Sequence, residues 1–542
     1  MALGWTAAFS CALFQRSLDT GGQEQIKPVL TPTAKGGRRV IVFALDGTGA
    51  DELLAAVHSG KAPRIAALLG KDRGGGLFAH AYAAPKAWSP LPSSTVSAWS
   101  AIFTGRPAGV NGIPGDEWFI RETQTFLAPV PISVRDTLDV TRVVNDDLLG
   151  KNLRVPTLYE LVGGRSHVSL SYIHHGATLY TTVAPEAFVD MVGRLVAGTL
   201  LGTDPEGAVS AGLDLDSVAK LTEAIDAQGV PDLQVVYFPG IDIFTHVASE
   251  RMAAQVGYLE AVTDRAVGMV LDTYARRGAL EGTYVVFIAD HAQIPTLNDS
   301  EHRLGTDLAD SPFGVLAQRG FRVRRPVLTL EPGDADFQAV WAYQGFMAYL
   351  YLADRSTCPR PHDRCAWERP PRFREDVMEA VAALDAANRS GEGIPKMKGT
   401  LDLIFARAPS GPGEDARAFE VFDGKGLVPI RDYLKVHPRP DLIRLEERMR
   451  ALSVGPYGNR AGDVLLLARA CADVPLNARY YFAATPHYTW HGSACEADGH
   501  IPFILARAQG SGVALKEVMS QVAGETPSAL ALTPLVRALL SP

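Results

Sequence analysis

Cysteine is scarce in this sequence, with five among 542 residues and no paired spacing of the kind that holds a structural zinc. That scarcity excludes a disulfide miniprotein and a zinc-finger array. Positive charge is not in excess either. Lys and Arg number 52 against 60 Asp and Glu, a net charge of −8, so neither a nucleic-acid groove nor a polybasic membrane patch is expected. Long apolar runs are missing: the early stretch Ala2–Phe14 is too short to span a bilayer, and no transmembrane helix is predicted. No repeat of fixed period occurs. What remains is an ordinary globular composition, 47% apolar and 21% charged. It excludes disorder, collagen and coiled coil, and leaves one large domain with insertions or several average ones.

Residues 2–14 (ALGWTAAFSCALF) resemble the apolar part of a signal peptide, although no Lys or Arg precedes them. Cys11 is a candidate lipid-attachment cysteine behind a poor recognition sequence, Ala-Phe-Ser. Residues 15–37 are polar with Gly and Pro and read as a linker. The other cysteines, Cys358, Cys365, Cys471 and Cys495, are even in number. They are compatible with two disulfides, and Cys358–Cys365 would close a short loop; free thiols in a reducing compartment are the alternative. The reading leans to export, periplasmic or extracellular, over the cytoplasm.

Short β-branched and aliphatic runs at Arg39–Leu45, Leu233–Phe238, Tyr284–Ala289, Val464–Ala468 and Pro502–Ala506 read as buried strands of a largely parallel sheet. Helical patterns at Gly49–Leu69, Ser97–Phe103, Thr157–Val162 and Glu250–Arg277 lie between them. This alternation predicts a three-layer α/β/α sandwich with a mostly parallel central sheet. The stretch 331–460 differs from its flanks and reads as an inserted cap. The expected organisation is a leader and linker over 1–37, the first part of an α/β core over 38–330, the cap, and the rest of the core over 461–542.

Four places concentrate chemistry, each at or just after the carboxyl end of a predicted strand, where open α/β sheets gather ligands. Asp46 ends RVIVFALDG, a position that an ordinary turn also favours. The loop PLPSSTVSAW enters a short apolar helix, and a hydroxyl at such a start is either a cap or a nucleophile facing an anion. Ser93, Ser94, Thr95 and Ser97 are all eligible. Asp242 and His246 stand four apart, so one helical turn sets both on one face. Asp290 and His291 end YVVFIADH, and His491 opens WHGS. Three carboxylates and three imidazoles exceed the ligand set of one ion, so two metals are expected, with Asp/His donors favouring zinc.

These pieces resemble the alkaline phosphatase superfamily, and within it the type I phosphodiesterase/nucleotide pyrophosphatase branch. The likeness rests on LDG at the first strand, Thr95 and Trp99 ahead of Thr104-Gly105, Asp242 with His246, the strand ending ADH, and HGS followed by HIPF, all in the family order over residues 38–506. The resemblance implies a phosphothreonine mechanism with Thr95 as nucleophile. It assigns one metal to Asp242, His246 and His491, the other to Asp46, Thr95, Asp290 and His291, with two zinc ions in all. His500 is implied as supporting rather than ligating. Backbone N–H groups of Val96 and its neighbours are expected to hold a phosphoryl oxygen. The implied substrate is a small phosphate ester or diester. Phosphomonoesterase, phosphonate hydrolase and a non-catalytic metal-binding scaffold are the alternatives. No sulfatase signature surrounds the nucleophile, and Ala289 and Ala292 flank Asp290-His291 where the nucleotide-cleaving members carry Ser and Gly.

Overall fold

The computed structural model describes residues 37–134, 138–183, 207–331, 333–409 and 418–541. Cys11 and the signal-like segment fall outside them. The central sheet holds seven strands: β1 (Arg39–Leu45), β2 (Ala81–Ala83), β3 (Ser166–Ser169), β4 (Leu179–Thr181), β5 (Leu233–Phe238), β6 (Thr283–Ile288) and β7 (Phe503–Arg507). Their order across the sheet is β2-β7-β6-β1-β5-β3-β4. β1 is parallel to both β5 and β6, and β3 is parallel to β4 and β5. β7 runs against β6 and β2, so the expected strand Pro502–Ala506 exists but is reversed.

Alternation along β1 explains the three layers. Val40, Val42 and Ala44 pack on one face, and Ile41, Phe43 and Leu45 on the other. Successive side chains of a strand point to opposite faces, so a run apolar at every position must be covered twice. One cover is made by helices Ala50–His58, Pro63–Leu69, Ala208–Gln228 and Asp264–Arg276. The other includes Thr95–Thr104, Leu158–Val162 and Leu532–Leu540.

A second, six-stranded sheet joins that other layer: β8 (Ala339–Tyr343), β9 (Met347–Leu352), β10 (Leu401–Arg407), β11 (Phe419–Phe422), β12 (Leu427–Val428) and β13 (Val464–Ala468). Here the sequence reading needs correction. Val464–Ala468 is not a strand of the parallel sheet; it lies antiparallel between Met347–Leu352 and Leu401–Arg407. Both faces of either sheet are buried, so an unbroken aliphatic run looks the same in each. The stretch read as a cap thus shares one apolar cluster with the central sheet.

Cys358–Cys365 and Cys471–Cys495 are both disulfide-bonded. Such bonds persist in oxidising compartments, which suggests an exported protein. No helix among the described residues is long and apolar enough to cross a membrane.

Candidate active site

Three neighbouring central strands, β1, β5 and β6, deliver the carboxylates. Asp46 follows β1, Asp290 follows β6, and β5 leads through Pro239 into helix Gly240–Val247. On that helix Asp242 and His246 meet one turn apart, with Asp242 Oδ2 3.2 Å from His246 Nε2. His491 comes from elsewhere. It follows the two-residue strand Thr489–Trp490, which pairs with Ile294–Pro295 just beyond His291. The turn between β8 and β9 anchors it, because Phe346 N–H donates to the His491 carbonyl at 3.0 Å.

These residues form two contiguous donor sets. Asp46, Asp290 and His291 offer ligand atoms within 4.8 Å of one another, and so do Asp242, His291 and His491. His291 lies between the sets, its ring stacked on His491 at 3.7 Å. His246 stands against Asp242, its ring 5.2 Å from that of His491. The structure therefore brings together all six metal-ligand side chains expected from the sequence.

Their hydrogen bonds fit cations. His246 Nδ1 is 2.7 Å from the Thr489 carbonyl, His291 Nδ1 3.0 Å from that of Ala292, and His491 Nδ1 3.2 Å from that of Ser93. A carbonyl only accepts, so each Nδ1 carries a proton; Nε2 of His291 and His491 is left to present a lone pair, while Nε2 of His246 faces Asp242 Oδ2. Asp46 Oδ1 and Asp290 Oδ2 are buried with no hydrogen-bond partner. Burial and the neighbouring carboxylates push both carboxyls well above the usual range. Burial would raise Asp242 too, but His246, His491 and His291 outweigh it and hold that carboxyl low. Burial lowers His291 to about 4 and drives His491 well down. Pairing with Asp242 raises His246 despite its burial. The unpartnered oxygens of Asp46 and Asp290 still call for positive charge, which divalent cations would supply.

Of the four eligible hydroxyls, only Thr95 reaches this centre. Its Oγ1 is 3.2 Å from His291 Nε2. Ser93 Oγ bonds to the Pro90 carbonyl, Ser97 Oγ to that of Ile113, and Ser94 Oγ is buried without a partner. Thr95 opens the helix Thr95–Thr104. Trp99, four residues on, is fully buried as core, yet its Nε1 also donates to Asp46 Oδ2 at 3.4 Å.

One expectation fails. Val96 N–H is not free for a phosphoryl oxygen, because it donates to Asp116 Oδ1 at 2.7 Å. Burial lifts the Asp116 carboxyl to about 7, and its other oxygen has no partner. No local signal marks Asp116, one of many acids in loops. His500 is apart from the donor sets, its Nε2 3.0 Å from the Pro85 carbonyl. Arg121 pairs with Asp463 and donates to the Leu352 carbonyl.

Three further residues went unnoticed. Tyr237, inside β5, donates its hydroxyl to Asp46 Oδ2. Gln293 Nε2 donates to Asp242 Oδ1 at 2.6 Å, while its Oε1 accepts from Thr489, whose carbonyl holds His246. Gln255 clasps the loop after Asp46 by donating to the Gly47 carbonyl and accepting from Gly49 N–H. Neutral amides at such positions look like any other polar residue until the chain folds. Only the place of Gln293, two beyond His291, hinted at a role.

Carboxylates and imidazoles at strand ends around a hydroxyl at a helix start suit a metal-dependent hydrolase, and the family match gives the class: a phosphoric ester hydrolase of the alkaline phosphatase superfamily. The family model for type I phosphodiesterase/nucleotide pyrophosphatase matches residues 40–344, and the chain belongs to that family. No curated protein sequence matches it. Among solved structures, human ectonucleotide pyrophosphatase/phosphodiesterase 5 is similar in fold, with a TM-score of 0.52 at 11% identity, over 93% of this chain and 95% of that one. Phosphonoacetate hydrolase from Sinorhizobium meliloti 1021, solved with phosphonoacetate, gives 0.50 at 16% identity, over 93% and 96%.

Proposed function

We propose that the protein hydrolyses a small phosphate ester, with diesters preferred, by two in-line displacements at phosphorus through a phosphothreonine on Thr95. The observation that carries this reading is the hydroxyl of Thr95 at a helix start, 3.2 Å from His291, where the two donor sets meet. Asp46, Thr95, Asp290 and His291 would hold one divalent ion, and Asp242, His246 and His491 the other, zinc by their mixed Asp/His chemistry. When bound, the ions supply Lewis-acid stabilisation of the charge that develops on the attacking and leaving oxygens.

The residues do the rest. The helix start fixes Thr95 Oγ1 in line for attack and excludes other hydroxyls. Tyr237 and Trp99 bind one oxygen of Asp46, leaving the other turned inward. Gln293 does the same for Asp242 by holding its Oδ1. Thr95 Oγ1 gives up its proton as it attacks phosphorus and the ester oxygen departs; water then attacks the phosphothreonine, releasing a proton, and Thr95 Oγ1 leaves and is reprotonated. The match to the type I phosphodiesterase/nucleotide pyrophosphatase family supports the diester preference.

The test is metal analysis together with kcat/KM on bis-p-nitrophenyl phosphate, p-nitrophenyl phosphate and phosphonoacetate. Two ions per chain and a diester rate above the other two are expected. A monoester or phosphonate preference would overturn the substrate class. A folded protein that binds no metal would overturn the two-metal site, and metal without turnover would point to a scaffold.

A further inference from the structure

Arg448 lies on helix Leu445–Ser453, far in sequence from every motif above, in the stretch between β12 and β13. It is completely buried. Its guanidinium forms a fork between two loops. Nη2 donates to Ser93 Oγ at 2.7 Å and to the Pro90 carbonyl at 3.1 Å, both in the loop that ends at Thr95. Nη1 donates to the Ala494 carbonyl at 3.2 Å, three residues past His491, and to that of Ile443 at 3.2 Å. The same two loops also meet directly, His491 Nδ1 standing 3.2 Å from the Ser93 carbonyl.

None of these partners is a carboxylate. Asp498, the acid that Arg448 feels most, spends its two oxygens on Ser493 N–H at 2.7 Å and Ser493 Oγ at 2.6 Å. Burying a cation among neutral acceptors is costly, and a guanidinium serves where several acceptors must be held in one plane. Its charge also stands behind the loop that presents Thr95, in a low-dielectric interior where it favours a bound anion.

We infer that Arg448 is a positioning residue, which sets the nucleophile loop against the His491 loop and so fixes the spacing of Thr95 and His491. The inference rests on the reading of Thr95 and His491 given above. It gives the region outside the motifs a part in the alignment of the site, adding a fork to the direct contact of His491 with Ser93.

The experiment uses the full chain with Arg448→Met, Arg448→Lys and Ser93→Ala. It measures kcat and KM separately on bis-p-nitrophenyl phosphate, zinc binding to the metal-stripped protein, and thermal unfolding. Misplacing reacting groups by about 1 Å costs on the order of a hundredfold in rate. Arg448→Met should therefore lose about a hundredfold in kcat with little change in KM, and bind the weaker of two zinc ions about tenfold less tightly. Arg448→Lys, which keeps charge but not the fork, should fall between. Ser93→Ala combined with Arg448→Lys should lose less than the product of the two single effects. Wild-type kcat and zinc binding in the folded variants would overturn the inference, as would a kcat loss that only tracks the unfolded fraction. If Arg448→Met does not fold, Arg448→Lys and Ser93→Ala carry the test. If the wild-type protein turns nothing over, the proposed function fails. Zinc titration then still decides for Arg448: weakened binding in the variants supports its role and unchanged binding overturns it.

Discussion

Substituting Gly47 by Ala probes a close approach between the loop after Asp46 and the Asp242 side chain. Gly47 has φ +62°, and a Cβ there would lie 2.3 Å from Asp242 Oδ1, 2.9 Å from Asp242 Cβ and 2.9 Å from Gln293 Nε2. Ordinary contact begins near 3.4 Å, so the carboxylate must retreat by about 1 Å. Asp242 cannot retreat freely, since Gln293 holds the same oxygen at 2.6 Å. The loop cannot easily yield either, because Gly47 N–H donates to Asp290 Oδ1 at 3.1 Å and Gln255 holds its carbonyl. The left-handed backbone adds about 1–2 kcal/mol of strain. A ligand displaced this far should weaken zinc binding about 10- to 100-fold. It should also lower kcat/KM about a hundredfold. Zinc titration of the metal-stripped protein and diester turnover measure the two. An alanine variant within twofold of wild type in both would refute the claim that the two carboxylate loops are locked against each other.

Thr95→Ala should keep the fold, bind one of the two ions less tightly and lose at least a thousandfold in diester turnover at saturating zinc; a residual rate above one tenth would remove Thr95 from the mechanism. Asp290→Asn should raise the Tm of the metal-free protein by a few degrees, since it deletes a buried, unpartnered carboxylate oxygen, while weakening zinc binding. A lower metal-free Tm in a circular dichroism melt would contradict the charge argument. Asp214, buried away from the centre, accepts from Gly240 N–H and the Tyr258 hydroxyl, and burial lifts it from 3.8 to about 7. A raised carboxyl favours the native state only where it stays protonated, so its contribution is full below about pH 4 and lost as pH rises to about 7. That loss is on the order of 4 kcal/mol. Asp214→Asn, which keeps an acceptor for Gly240, should flatten this part of the stability profile in urea titrations; an unchanged slope would show that Asp214 does not titrate there.

The candidate donors were legible because each sits beside a local signal. Asp46 and Asp290-His291 end apolar runs that can only be buried strands, and Asp242 and His246 share a helical spacing that needs no tertiary knowledge. Val464–Ala468 misled because its local signal is equally valid for two sheets. Asp116 was invisible, since its value lies in reaching Val96 N–H, twenty residues back, across the fold.

Sequence by itself determined the element types, the donor inventory and the family, because periodicity and motif order are properties of neighbours along the chain. Tertiary structure decided which of four hydroxyls meets His291, which amides and phenols aim the carboxylates, and that a buried arginine links the loops of Thr95 and His491. Those choices depend on where distant backbones cross. That is settled by the packing of two sheets and their helices around one core, not by any stretch of the chain read alone.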